Sequence, residues 1–311
     1  MSMVAEGQRT AREPGRAAAP RRRRWRGRAV PWLFLAPLLV LIVGFRVIPT
    51  IDAVRLSFYH WDGISPPVWV GWANYSALWR DPAFRDSLRD NGLILLTLPV
   101  WVVFPLAVAI SLRERVRGWR IFRFAYFIPC AISPLIVGEL ASLFLRYDGP
   151  VDRILRDVGL PGLAQQWLAN PTLALWVMMA VIIWANFGTG VLIYLAGMAM
   201  IDESLYDAAR IDGASRWRQH WHVTLPQLRE VIQFYGVIVL IGAFAAMFPY
   251  VYALTGGGPG TSTYTIEFDV YQQAFAQGEL GYGSAVGVLL LLLLLVLVVA
   301  AMRIFRIGEE R

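Results

Sequence analysis

Apolar residues in this chain are gathered into long runs, a distribution that points to a bilayer and not to a soluble core. Crossing the ~30 Å hydrocarbon layer takes about 20 helical residues at roughly 1.5 Å each. Six stretches are long enough: 30–50, 88–112, 121–146, 171–200, 228–254 and 282–305. The last contains LLLLLLLVLVVAAM. The third and fifth carry Pro129, Pro134 and Pro249, which spanning helices tolerate when neighbours satisfy the freed carbonyls. The pattern predicts an all-α integral membrane protein with six transmembrane helices.

Charge placement then orients the spans. Of the 311 residues 57% are apolar and 16% charged, well below the quarter or so of a soluble domain. Arginines crowd the tail before the first span, notably Arg21 to Arg24, then the 113–123 loop, the 201–229 loop and the C-terminal end. The 51–87 and 147–170 loops dilute theirs with aspartates, and the 255–281 loop has none. The positive-inside rule puts both termini and the 113–123 and 201–229 loops in the cytoplasm. Residues 1–29 are rich in Arg, Ala, Pro and Gly and read as a disordered tail that anchors on anionic lipid. A secretion signal fits poorly, because the following apolar stretch is too long and no small-residue cleavage site follows. Nucleic acid is the lesser reading of these arginines and is not expected as a partner.

All basic residues other than histidine are arginine. Without lysine there is neither a GxxxxGK[ST] phosphate loop nor a Schiff base. Any ATP chemistry must therefore lie on another chain. Cys130 is the single cysteine, so no internal disulfide forms. His60, His220 and His222 make no metal-ligand cluster or nucleophile–base pair, which argues against an enzyme. An ion-coupled carrier needs titratable groups at mid-membrane, and only Glu139 fits.

The 201–226 segment reads IDESLYDAARIDGASRWRQHWHVTLP. Asp202 suits a helix cap, with Glu203 in the first turn. Leu205, Ala208, Ala209 and Ile211 give a short helix with a small-residue face, Asp212-Gly213 a turn, and Ala214 to His222 a second helix. Thr224 and Pro226 suit the cap and first turn of the next span. Composition alone leaves two readings open, a compact docking element or an interfacial amphipathic helix.

This segment resembles the EAA loop of binding-protein-dependent ABC importer permeases: E-A-A, three residues, G, nine residues, I-x-L-P. The pattern falls on Asp207, Ala208, Ala209, Gly213, Val223, Leu225 and Pro226, with Asp207 for Glu and Val223 for Ile. Two further stretches are similar to the sugar-permease subset, the maltose and glycerol-phosphate type. One is LTGGGPGTSTYTIEFDVYQQAF at 254–275, where Gly256, Gly257, Gly258 and Pro259 form a tight external turn. The other holds Gly71, Asn74, Tyr75, Asp81, Pro82, Phe84 and Leu88. The resemblance covers roughly 30–306 and implies the type I, MetI-like permease fold. It divides the chain into the tail 1–29, a first helix and external loop 30–87, the permease core 88–306 with its coupling loop, and a cytoplasmic end 307–311. It implies a subunit of an ATP-driven importer in the bacterial cytoplasmic membrane. The cargo would be a carbohydrate: a mono- or oligosaccharide, or a sugar-phosphate-like solute. Implied partners are a second homologous permease, two ATPase subunits that bind the ATP and Mg, and an external binding protein, lipoprotein or periplasmic. Residues 203–222, including Asp212, would transmit nucleotide-driven closure.

A sugar path needs aromatic faces for C–H surfaces and polar groups for hydroxyls. The fourth span offers Trp184, Asn186 and Thr189, and by resemblance Trp184 matches an aromatic at the maltose-type sugar site. In the fifth, Phe244, Met247 and Tyr250 fall at helical spacing on one side. Glu139 is the acidic residue deep inside a span. It either faces the path and accepts hydroxyl hydrogen bonds, or pairs with the partner permease or with Arg146.

Overall fold

The computed structural model describes residues 26–113 and 126–306. The Arg-rich tail, nearly all of the 113–123 loop and the 307–311 end fall outside the described residues. The chain divides into two compact units, one ending at Ile51 and one starting at Asp52. The first holds helix α1 (Arg26–Ile42) and the π turn Val43–Val47, after which α2 (Ile48–Leu56) begins.

In the second unit a two-residue antiparallel pair, β1 (Tyr59–His60) and β2 (Val68–Trp69), pairs Tyr59 with Trp69. Helix α3 (Ala73–Leu78) follows, and here the Gly71–Leu88 motif acquires a physical reason. Asn74 donates to the carbonyls of Ser57 and Tyr59 at 2.8 and 2.9 Å, fastening α3 to the preceding strand. Asp81 accepts the Ala83 amide at 2.9 Å and so caps α4 (Pro82–Arg113). Its other oxygen accepts the Tyr282 hydroxyl at 2.8 Å. Helix α4 has 32 residues, about 48 Å at 1.5 Å each.

The third stretch, 121–146, is not one continuous helix. Residues 126–131 are helical (α5), Ser133 turns extended (ψ 137°), and α6 (Pro134–Leu145) begins anew. The residue before a proline is pushed out of the helical region, and Pro134 enforces the break at Ser133. After α7 (Pro150–Asp157), helix α8 (Ala174–Ala199) runs through the middle of the unit. It buries Met178, Met179, Ile182 and Tyr194 against α4 and the later helices.

The 201–228 connection holds α9 (Glu203–Ile211), α10 (Arg216–Gln219), a π turn and α11 (Leu225–Gln227). The fifth span, α12 (Arg229–Ala245), leaves this segment at a 68° bend and breaks at Ala246 before α13 (Phe248–Leu254). Helix α14 (Ile266–Tyr271) and a π turn lead to α15 (Leu280–Arg306). Among the described residues, four helices are long and apolar enough to cross a membrane, or five if the bent pair Arg216–Gln227 and Arg229–Ala245 counts as one span. Shorter α6 is also apolar. The chain is a multi-pass, all-α membrane protein.

With no hydrophobic drive between helices in lipid, close approach through small residues carries the packing. A Cβ on Gly188 would lie 2.3 Å from the Tyr126 carbonyl oxygen, and one on Gly190 2.5 Å from the Tyr235 ring. Gly242, by contrast, has nothing within 4 Å of that position. Gly188→Ala should therefore cost about 1–3 kcal/mol by overpacking. The melting temperature in detergent should drop by several degrees, while Gly242→Ala should leave it unchanged.

Candidate functional site

The 201–226 segment is built as the sequence indicates in its first half. Asp202 caps α9 by accepting the Ser204 amide at 2.9 Å, a bond that holds its carboxyl below the ordinary carboxylate range. The helix closes at Asp212, whose amide reaches the Ala208 carbonyl at 3.0 Å, and Gly213 takes φ +73°. That left-handed conformation favours glycine. The Ala214 amide completes the turn on the Ala209 carbonyl at 2.9 Å. Asp207 and Ala208 are exposed, Ala209 is half-buried, and Asp207 is held by Arg210 at 2.7 Å.

The second half differs from expectation. Ser215, not Ala214, starts the second helix, accepting the Arg218 amide at 3.4 Å. The helical turns continue without interruption through the π turn His220–Thr224 into α11. Thr224 is thus not a cap. Its hydroxyl is fully buried and pairs with the Tyr206 hydroxyl at 3.0 Å. Pro226 is in the first turn of α11, and the span itself starts three residues later, after the bend at Leu228. Val223 and Leu225 are half-buried. Apolar side chains crowd the outer face of the loop: Ile211 is 86% exposed and Trp217 71%.

The path candidates separate into two groups. Trp184 and Thr189 are exposed, and Trp184 walls an apolar cavity of about 360 Å³ with Val137, Leu140 and Phe144 of α6. Asn186 is half-buried and donates to the Tyr250 hydroxyl at 3.0 Å. Phe244, Met247 and Tyr250 are all buried inside this chain's own packing. Their common helical face does not exist, because the helix breaks at Ala246, where φ is −142°. Glu139 is exposed on α6 beside exposed Leu135, Ile136 and Leu140. Arg146 makes no ion pair with it.

The Gly-rich turn is more than a connection. Gly256 and Gly257 take φ +59° and +84°, and a Cβ on Gly257 would sit 2.8 Å from the Phe268 ring. The turn sends the chain back into the bundle, where Thr263, Thr265 and Asp269 are fully buried. Helix α4 holds this loop through three polar residues. Asp86 accepts from Thr261 at 2.6 Å, Asp90 from the Tyr264 amide at 3.1 Å and Asn91 from the Ile266 amide at 2.8 Å. Glu267 accepts the amides of both Met247 and Phe248 at 2.8 Å, satisfying the donors that the break in the fifth span exposes. Sequence reasoning missed Asp86, Asp90, Asn91 and Glu267. Their signal was present as acidic and amide groups flanking apolar runs, but nothing in the spacing names their partners.

The family model described as "Binding-protein-dependent transport system inner membrane component" matches residues 26–307. The chain is 33% identical to the arabinooligosaccharides transport system permease protein AraP of Bacillus subtilis, over 85% of this chain and 84% of that one. It is 32% identical to the lactose transport system permease protein LacF of Rhizobium radiobacter, over 78% and 83% of the two chains. Among solved structures it superimposes with a TM-score of 0.79 and 25% identity on a bacterial ABC transporter involved in import of the acidic polysaccharide alginate. That match covers 92% of this chain and 99% of the other.

Burial pushes the Glu267 carboxyl upward, and the Phe248 and Met247 amides pull it partly back. Its folded-state value lies above the unfolded one near 4.3, so the folded state holds the proton to higher pH. Stability is then greatest below the unfolded value and falls as pH rises through the folded one. Melting curves in detergent from pH 4 upward should fall more steeply for the wild type than for Glu267→Gln. Equal slopes would contradict the assignment.

Proposed function

Because the chain belongs to the family of binding-protein-dependent transport system inner membrane components, we propose that it forms half of the translocation pathway of an ATP-driven carbohydrate importer. The carrying observation is the 203–222 element. It is a capped helix and a Gly213 turn with an outward apolar face, fastened at its back to two spans. Such a surface fits a separate ATPase that supplies the ATP and Mg sites this lysine-free chain does not encode. The carbohydrate reading draws on relatives named for lactose and arabinooligosaccharides.

In this reading both termini and the 201–228 loop face the cytoplasm, as the arginine distribution favours. The 255–281 loop faces outward, where a loaded binding protein docks. A solved relative is in complex with an alginate pentasaccharide-bound periplasmic protein. ATP binding closes the ATPase pair and draws the coupling elements together, opening the cavity outward, and hydrolysis resets it. Of the path candidates, Trp184, Thr189 and Glu139 would meet cargo or the second permease, a reading supported by the exposure of each on this chain alone. Trp184 would stack on sugar C–H faces, and Glu139 would accept hydroxyl hydrogen bonds. Asn186, Phe244, Met247 and Tyr250 would support that surface from behind.

Two measurements test this. Gly213→Trp places bulk where nothing lies within 4 Å and asks an L residue to hold positive φ, a local cost of about 1–2 kcal/mol. The variant should insert and fold but no longer co-purify with the ATPase; retained co-purification would overturn the docking assignment. In proteoliposomes with ATPase and binding protein, Glu139→Gln should slow uptake of labelled oligosaccharide or alter its preference. An unchanged rate and preference would remove Glu139 from the path.

A further inference from the structure

Helix α9 has one buried side chain, Tyr206, which is 5% exposed. Tyr206 is thus the side chain that α9 sets into the bundle. Three groups from three elements meet there. The Arg113 guanidinium, from the last turn of α4, lies 4.1 Å from the Tyr206 ring centroid and also hydrogen-bonds the Tyr206 hydroxyl. Arg113 pairs with Glu203 in the first turn of α9 at 3.5 Å. The Tyr206 hydroxyl in turn meets Thr224, fully buried at the root of the fifth span, at 3.0 Å. A cavity of about 620 Å³ opens beside this cluster, walled by Arg113, Glu203, Tyr206 and His220.

We propose that Arg113 is a positioning residue for coupling: through Tyr206 it ties α9 to the second span, and through Thr224 to the fifth, so that both move as one with the coupling helix. A stacked, partly desolvated guanidinium suits this role, because its planar fork holds a ring and two oxygens at once. The inference rests on the ATPase-coupling reading above. Without the tie, α9 can still occupy the ATPase, but its movement is lost before it reaches the spans.

The experiment uses the whole complex in proteoliposomes, with cargo taken up per ATP hydrolysed as the readout. Arg113→Met should continue to hydrolyse ATP while uptake per ATP falls ~5-fold or more, at the lower end of typical coupling strengths. Arg113→Lys, which keeps a cation over the ring, should recover a substantial part. Tyr206→Phe keeps the ring beneath the Arg113 cation but drops the hydroxyl's bonds to both Arg113 and Thr224, and should fall between. An unchanged ratio in Arg113→Met overturns the proposal. So does an equal loss in Arg113→Met and Arg113→Lys accompanied by a lower melting temperature, the mark of a purely structural residue. If Arg113→Met fails to assemble, an unchanged ratio in Tyr206→Phe overturns it as well. Absence of ATP-driven uptake by the wild type would instead overturn the underlying functional reading.

Discussion

A backbone amide inside hydrocarbon must find its partner within the protein, because no water is there to serve. The fifth span is broken at Ala246, and the amides of Met247 and Phe248 have no partner in their own helix. Glu267 supplies one by reaching back from the loop that follows. For that carboxylate to arrive, the chain must reverse sharply after α13, which the left-handed Gly256 and Gly257 allow. It must then stay folded against the bundle, which the polar face at the start of α4 secures. The break, the Gly-rich turn and the buried loop are parts of one solution.

Helix α4 joins that solution to the coupling end. Its first turns hold the 261–266 segment, through Asp86 on the Thr261 hydroxyl and Asp90 and Asn91 on backbone amides, and its last turn holds α9 through Arg113. At about 48 Å, this helix is long enough to separate the two clusters by more than a hydrocarbon thickness. A continuous helix fastened at both ends, even with Pro99 and Pro105 inside it, suits a machine in which a cytoplasmic event must alter an outer surface. The middle of the helix packs closely on α8, where a Cβ on Gly190 would lie 2.8 Å from the Pro105 side chain.

Much of this was legible in the sequence, and the remainder was hidden for a specific reason. Apolar runs located the four long spans and the bent fifth, since span length is set by membrane thickness, but the third stretch folds as two short helices broken at Ser133. Asp202 and Gly213 showed the first coupling helix, because caps and left-handed turns are local and written in residue type. Thr224 was misread as a cap. Threonine before Leu-Pro has the local form of a helix start, and only the distant Tyr206 shows that its hydroxyl is buried. The shared face of Phe244, Met247 and Tyr250 was misread likewise, since Pro249 does not announce that the helix breaks three residues earlier. Glu267 and Arg113 went unnoticed because their partners lie 19 or more residues away. Long-range pairing leaves no periodicity.

The central claim is that residues 203–222 form a cytoplasmic surface gripped by a separate ATPase. It is tested most directly by placing a single cysteine at Ile211, 86% exposed, in a chain whose Cys130 has been replaced by serine. A membrane-impermeant thiol reagent should label that site in inside-out vesicles but not in right-side-out ones, and co-expressed ATPase should both shield it and cross-link to it. Labelling from the outer side, or labelling that the ATPase never diminishes, would contradict the account.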